Sequence, residues 1–129
     1  MKSKLIIFCL FFFGLFIIAA NTSNRLPVKA LGNSGAAKNI SFDNPVSTIT
    51  ISENTTLTFT NLPPDGDSAV IRIDMTSASG YTLAWAVSGG SIKWPSGTAT
   101  SVATVGVTSF VAICADGVNV RVSIAEEDM

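Results

Sequence analysis

The residue types missing from this chain narrow its chemistry before any motif does. There is no histidine. That removes the usual proton shuttle, the Ser-His-Asp constellation and nearly every catalytic zinc site. The two cysteines are Cys9 and Cys114, and without an imidazole neither can form a thiol–imidazole pair. Gly66 and Gly80 are isolated, so there is no phosphate-cradling glycine loop. Asp65-Gly66-Asp67 resembles half of a calcium loop but lacks the bidentate Glu that a hard cation wants, and reads as turn aspartates. Glu53 and Asp74 are the carboxylates a glycoside hydrolase would use, within about 5–10 Å of each other, and nothing in their spacing places them so. No catalytic residue, cofactor or metal ligand is assigned.

What remains is binding chemistry. Tyr81 shares a strand face with Leu83, Trp85 and Val87, so core packing competes with a contact role. Trp94 lies in Ile92-Lys93-Trp94-Pro95, where it is either a sugar platform or a ring packed over a turn proline. With Lys93 and Asp116, these give the candidate ligand contacts Tyr81, Lys93, Trp94 and Asp116. Phe110 and Arg121 are the candidates for self-association. Eight basic residues stand against nine acidic ones, a formal net charge of −1. Two of the basic residues lie in an N-terminal segment expected to be removed. No basic patch is left to track a phosphate backbone, which argues against nucleic acid as a partner.

The elements that must position these residues are strands. Thr48-Ile49-Thr50-Ile51 and Thr56-Leu57-Thr58-Phe59-Thr60 alternate polar and apolar residues, the period of a half-buried strand. Ala69–Met75, Tyr81–Val87, Ser101–Val107, Ser109–Ala115 and Val118–Ile124 continue the series. No helical period of useful length follows Ala20. Pro63-Pro64-Asp65-Gly66, Ser79-Gly80, Gly89-Gly90 and Pro95-Ser96-Gly97 punctuate it. The expected fold is all-β: a small antiparallel sandwich or barrel of seven to nine short strands, spanning residues 39–129 and holding loops 61–68, 88–100 and 115–118 in place.

Asp116-Gly117 between two apolar segments favours a two-residue type I′ hairpin. Ala115 would then oppose Val118, Ile113 Val120, and Val111 Val122, an aliphatic face for the core. The other face would carry Cys114, Ala112 and Phe110 opposite Asn119, Arg121 and Ser123, and would meet a second sheet or another subunit. A one-residue slip would exchange the two faces.

The N-terminus sets the compartment. Lys2 and Lys4 precede an apolar run from Leu5 to Ile18, followed by Ala19-Ala20, the pattern of a secretory signal peptide. The alternative is an uncleaved anchor, since Leu5–Ala20 would span about 24 Å as a helix. Residues 21–38, small, polar and glycine-bearing, read as a flexible leader. With Cys9 in the signal, Cys114 is alone, either a buried small hydrophobe or a partner in an intermolecular bridge.

Asn54–Asn61, Pro63-Pro64, Tyr81-Thr82-Leu83-Ala84-Trp85 and Asp116-Gly117 follow one another in a recognisable order. With the string Lys93-Trp-Pro-Ser-Gly-Thr-Ala99, this order resembles a small β-module at the C-terminal ends of tailed-phage tail fibres and related virion proteins. The likeness covers about residues 45–129. It implies a non-catalytic structural and attachment part, typically trimeric. Behind a signal peptide, the expectation is an exported adhesive or structural module that binds a cell-surface ligand, a glycan, or associates with itself. The alternatives are a fibre or coat subunit that binds only other subunits, and a carboxylate-dependent glycoside hydrolase.

Overall fold

The computed structural model describes residues 25–95 and 97–128, with side chains as far as Ala125. The expected export segment 1–20 and the first leader residues lie outside the described residues. Among those described, every regular element is a strand: β1 Val28–Asn33, β2 Ala37–Ser41, β3 Val46–Ile51, β4 Thr55–Thr60, β5 Ala69–Ser77, β6 Leu83–Val87, β7 Ile92–Lys93, β8 Gly106–Cys114 and β9 Val120–Asp128. No helix among them is long and apolar enough to cross a membrane.

The strands form two sheets, ordered β1-β3-β5-β8-β9-β7 and β2-β4-β6. Through β6 the chain changes sheet at every strand and returns one place further along. β1, β3 and β5 are therefore parallel neighbours, as are β2, β4 and β6. Parallel neighbours need a crossover, which is usually a helix. Here a strand of the opposite sheet serves, as in a coil of stacked repeats. Antiparallel pairing begins at β5–β8 and continues at β8–β9, and β7 joins β9 in parallel. The expected antiparallel sandwich is thus corrected to an all-β pair of sheets, the larger mixed and the smaller wholly parallel. Period-two alternation fixes which side chains point inward but not the direction of the neighbouring strand.

The inward faces make one core. Ile49, Ile51, Ile71, Ile73, Met75, Phe110, Ala112, Cys114, Val120 and Val122 come from the larger sheet. Leu57, Phe59, Leu83 and Ile40 meet them from the smaller one, with Phe42 just beyond β2. Each large side chain so buried stabilises the fold by about 1.5–3 kcal/mol. Trp85 sits in the centre of an aromatic group, stacked on Phe59 with centroids 6.0 Å apart and edge-on to Phe110 at 5.3 Å and Trp94 at 5.4 Å. Its indole N–H donates to the Thr100 carbonyl at 2.7 Å. Cys114 is a free, buried thiol.

Three further expectations are corrected. The segment read as a flexible leader supplies β1 and the first two residues of β2. Leu31 packs on the core, and Gly32 and Gly35, at φ 69° and 60°, let the chain fold from one sheet to the other. Ser101–Val107 is not a strand. Its start makes an isolated bridge, Thr82 to Val102, beside β6, and regular pairing begins only at Gly106.

Asp116-Gly117 is not a two-residue turn. Cys114 pairs with Val120, Ala112 with Val122 and Phe110 with Ile124, leaving Ala115–Asn119 as the loop. The register has slipped by one from the expected one, so β8 turns its other face to the core, while Val120 and Val122 of β9 point inward as expected. Phe110 is 1% exposed and Ile113 39%. The large ring takes the interior, where it meets Trp85, and the smaller aliphatic residue turns outward. Phe110 therefore belongs to the core and is not a surface for self-association.

Candidate functional site

The loop Ala115–Asn119 is built around a carboxylate. Asp116 Oδ1 accepts from the backbone N–H groups of Asn119 at 2.6 Å and Val118 at 3.1 Å, and Oδ2 accepts from the Asn119 side-chain amide at 2.7 Å. Asp commonly closes a turn onto the amides that follow it. These bonds, the Asn119 side chain first and then the backbone amides of Asn119 and Val118, hold the Asp116 carboxyl below its ordinary pKa.

Asn119 ties this loop to the strand beside it. Its side-chain oxygen accepts from Ser91 Oγ at 2.7 Å and from the Ser91 N–H at 3.3 Å, and Val120 N–H donates to the Ser91 carbonyl at 3.0 Å. The approach is so close that a Cβ on Gly90 would lie 1.6 Å from the Val118 carbonyl oxygen. On the other side a Cβ on Gly117, which has φ 73°, would press tightly on the Pro63–Asp65 backbone, 3.1 Å from the Asp65 nitrogen. The three loops expected to carry binding thus meet here, 88–100 and 61–68 each packed on 115–118.

This clamp positions β7. Ile92 pairs with Val120 and Lys93 with Arg121, while Arg121 pairs with Ile113 and Ile113 with Val70. Lys93, Arg121, Ile113 and Val70 thereby form one row across the outer face of the larger sheet. A concavity of about 290 Å³ opens there, lined by Lys93, Ile113, Ala115, Asp116, Asn119 and Arg121. Lys93 and Arg121 are exposed, and the ion pair of Arg72 with Asp74 lies elsewhere, on the outer face of β5.

Beyond Lys93 the chain turns Trp94 the opposite way. Trp94 and Ile92 line a broader hollow of about 610 Å³ with Trp85, Ala84, Gly90 and Gly97. β7 is therefore a ridge between a polar concavity and an aromatic one. Of the residues singled out from sequence, Lys93, Asp116 and Arg121 converge in the first and Trp94 lines the second. Tyr81 lines neither: it is half-buried against the core, and its carbonyl accepts from the Ala103 N–H at 2.8 Å. Asn119, Ile113 and Ser91 are site residues that the sequence reading did not single out, Ile113 being expected in the core. The one signal for Asn119 was its place three residues after Asp116, where it can close the turn.

Neither Asp74 nor Glu53 lines this concavity. Asp74 Oδ1, on the outer face of β5, accepts from Arg72 Nε at 2.6 Å and Ser109 Oγ at 2.7 Å. Glu53 lies beside Gly35 in the turn between β1 and β2. Asp65 and Asp67 are exposed in the proline loop, which is closed by Asp67 N–H donating to the Pro64 carbonyl at 3.0 Å.

Compared with known protein families, with characterised proteins and with solved structures, the chain matches none. Two cationic donors, a carboxylate acceptor, an amide and an aliphatic wall are fixed on a strand ridge and a tied loop. That set suits reversible capture of a polar ligand, at the small end of ligand-site sizes.

Proposed function

We propose that this chain is an exported, non-catalytic adhesive module that binds a cell-surface glycan at the concavity of Lys93, Asp116 and Arg121. The observation that carries the reading is the convergence of these three side chains, from β7, the Ala115–Asn119 loop and β9, at one end of a rigid two-sheet core. Binding groups on loops held by a rigid scaffold are the usual arrangement. Export rests on the charged and apolar pattern of residues 1–20, and trimeric assembly on the resemblance to tail-fibre modules.

The second reading, a fibre or coat subunit that binds only its own kind, draws on a different observation. The outer face of the larger sheet and its β1 edge expose Val28 at 60%, Val70 at 59% and Ile113 at 39%, a scattered apolar surface that a neighbouring subunit would cover. A hydrolase built on Glu53 and Asp74 has less to support it, since Asp74 is taken up by Arg72 and Ser109. A glycan array and light scattering on the purified protein separate the first two readings. Selective glycan capture supports adhesion, and a polymer indifferent to every glycan supports the coat.

A further inference from the structure

The geometry points to a saccharide bearing a carboxylate or sulfate as the occupant of the Lys93–Arg121 concavity, an inference that rests on the glycan-binding reading above. Lys93 and Arg121 are register partners on adjacent strands. Like charges side by side on one sheet face repel and cost stability. A chain with so few basic residues has set two of them together, and no acidic side chain among the described residues bridges them. Asp116 shares the concavity, but its oxygens are turned to its own loop through Val118 and Asn119. An anionic group lying between the ammonium and the guanidinium would relieve the repulsion and accept charge-assisted hydrogen bonds, with the guanidinium able to present two parallel donors.

The rest of the lining says what carries the anion. Asp116 Oδ2 keeps one lone pair that can accept a sugar hydroxyl, and Ile113 and Ala115 offer an apolar wall to the C–H face of a ring. A polyanion such as nucleic acid needs a track of cations, and the concavity offers one pair. A single acidic sugar needs one pair of cations and gains from a neighbouring acceptor. At about 290 Å³ the concavity suits one or two sugar rings and not an extended segment of chain.

The test is isothermal titration of the purified protein with three probes: a hyaluronan tetrasaccharide for the carboxylate, a chondroitin sulfate tetrasaccharide for the sulfate, and maltotetraose as the neutral control. The expected result is binding of one or both acidic probes at least tenfold tighter than maltotetraose, weakening as salt rises. Arg121→Gln and Lys93→Gln should each reduce it tenfold or more, with circular dichroism unchanged. Thr56→Ala, on the outer face of the smaller sheet, should leave it intact. The stronger acidic probe identifies the anion. Equal affinity for maltotetraose, or acidic binding untouched by both substitutions, overturns the inference while leaving glycan binding standing. Failure of all three probes together with a blank glycan array overturns the glycan reading itself.

Discussion

Lys93 and Arg121 are neighbours because β7 lies parallel to β9, and it lies there because Asn119 holds Ser91 through two hydrogen bonds. A two-residue strand has little pairing energy of its own. The polar clamp and the close passage of Gly90 under the Val118 carbonyl hold it in place. The site and the loop that builds it are one unit, so the site should respond to changes in the loop.

The Asp116 carboxyl should titrate below the 3.8 typical of an isolated Asp. A folded-state pKa lowered relative to the unfolded chain means the loop's contribution is complete above the unfolded value and is lost as pH falls through the folded one. Carbon-13 NMR of the carboxyl measures this directly. Asn119→Ala, which removes the largest cause of the shift, should move the midpoint upward. An unmoved midpoint would separate Asn119 from the carboxylate.

The β8–β9 register can be tested by stability. Phe110→Ala empties a core position beside Trp85 and Trp94 and should cost about 3–5 kcal/mol. Ile113→Ala, on the outer face, should stay within about 1 kcal/mol, in the range of surface substitutions. Urea unfolding of the two variants gives the comparison. The reverse order would mean that the faces are exchanged.

Two hydroxyls sit in the core without partners, Ser47 Oγ and Thr108 Oγ1. A buried polar group left unpaired costs about 1–3 kcal/mol. Thr108→Val keeps the shape of the side chain and removes that cost, and should stabilise the protein by about 1 kcal/mol. Ser47→Ala should act in the same direction. A lower urea midpoint in both variants would show that the hydroxyls are bonded in solution.

β1 and β2 are edge strands of the two sheets, and both place a lysine on their core-facing side. Lys29 pairs with buried Ser47, and Lys38 pairs with buried Leu57. Lys38 Nζ donates to the Asn33 carbonyl at 3.0 Å, reaching across the open end from one sheet to the other. Inward-pointing charge on an edge discourages another strand from adding there. The double variant Lys29→Val, Lys38→Ile should therefore self-associate more strongly than the unsubstituted protein, seen as a mass that rises with concentration in light scattering. An unchanged mass would mean that the lysines guard nothing.

Strand positions and inward faces were legible in the sequence wherever alternation was clean, as in Leu57 and Phe59 or Ile71, Ile73 and Met75. Strand direction was not, because parallel and antiparallel neighbours use the same alternation. The leader misled because glycines that signal flexibility also serve a bend between sheets, and Gly32 and Gly35 do the latter. The Asp116-Gly117 pair marked the reversal correctly but not its length. Asp116 bonds forward to Val118 and Asn119, and a five-residue loop results. Lys93 and Asp116 are legible as contacts in the local sequence, whereas their meeting with Arg121 depends on the β8–β9 register, which no local pattern reveals.

The most direct test of the site is a nitrogen-15 NMR titration of the purified protein with the hyaluronan and chondroitin sulfate tetrasaccharides. The expected perturbations cluster at the backbone amides of Lys93, Ile113, Asp116, Asn119 and Arg121. Perturbations confined to the hollow of Trp85, Trp94 and Gly97, with those five amides unmoved, would contradict the account.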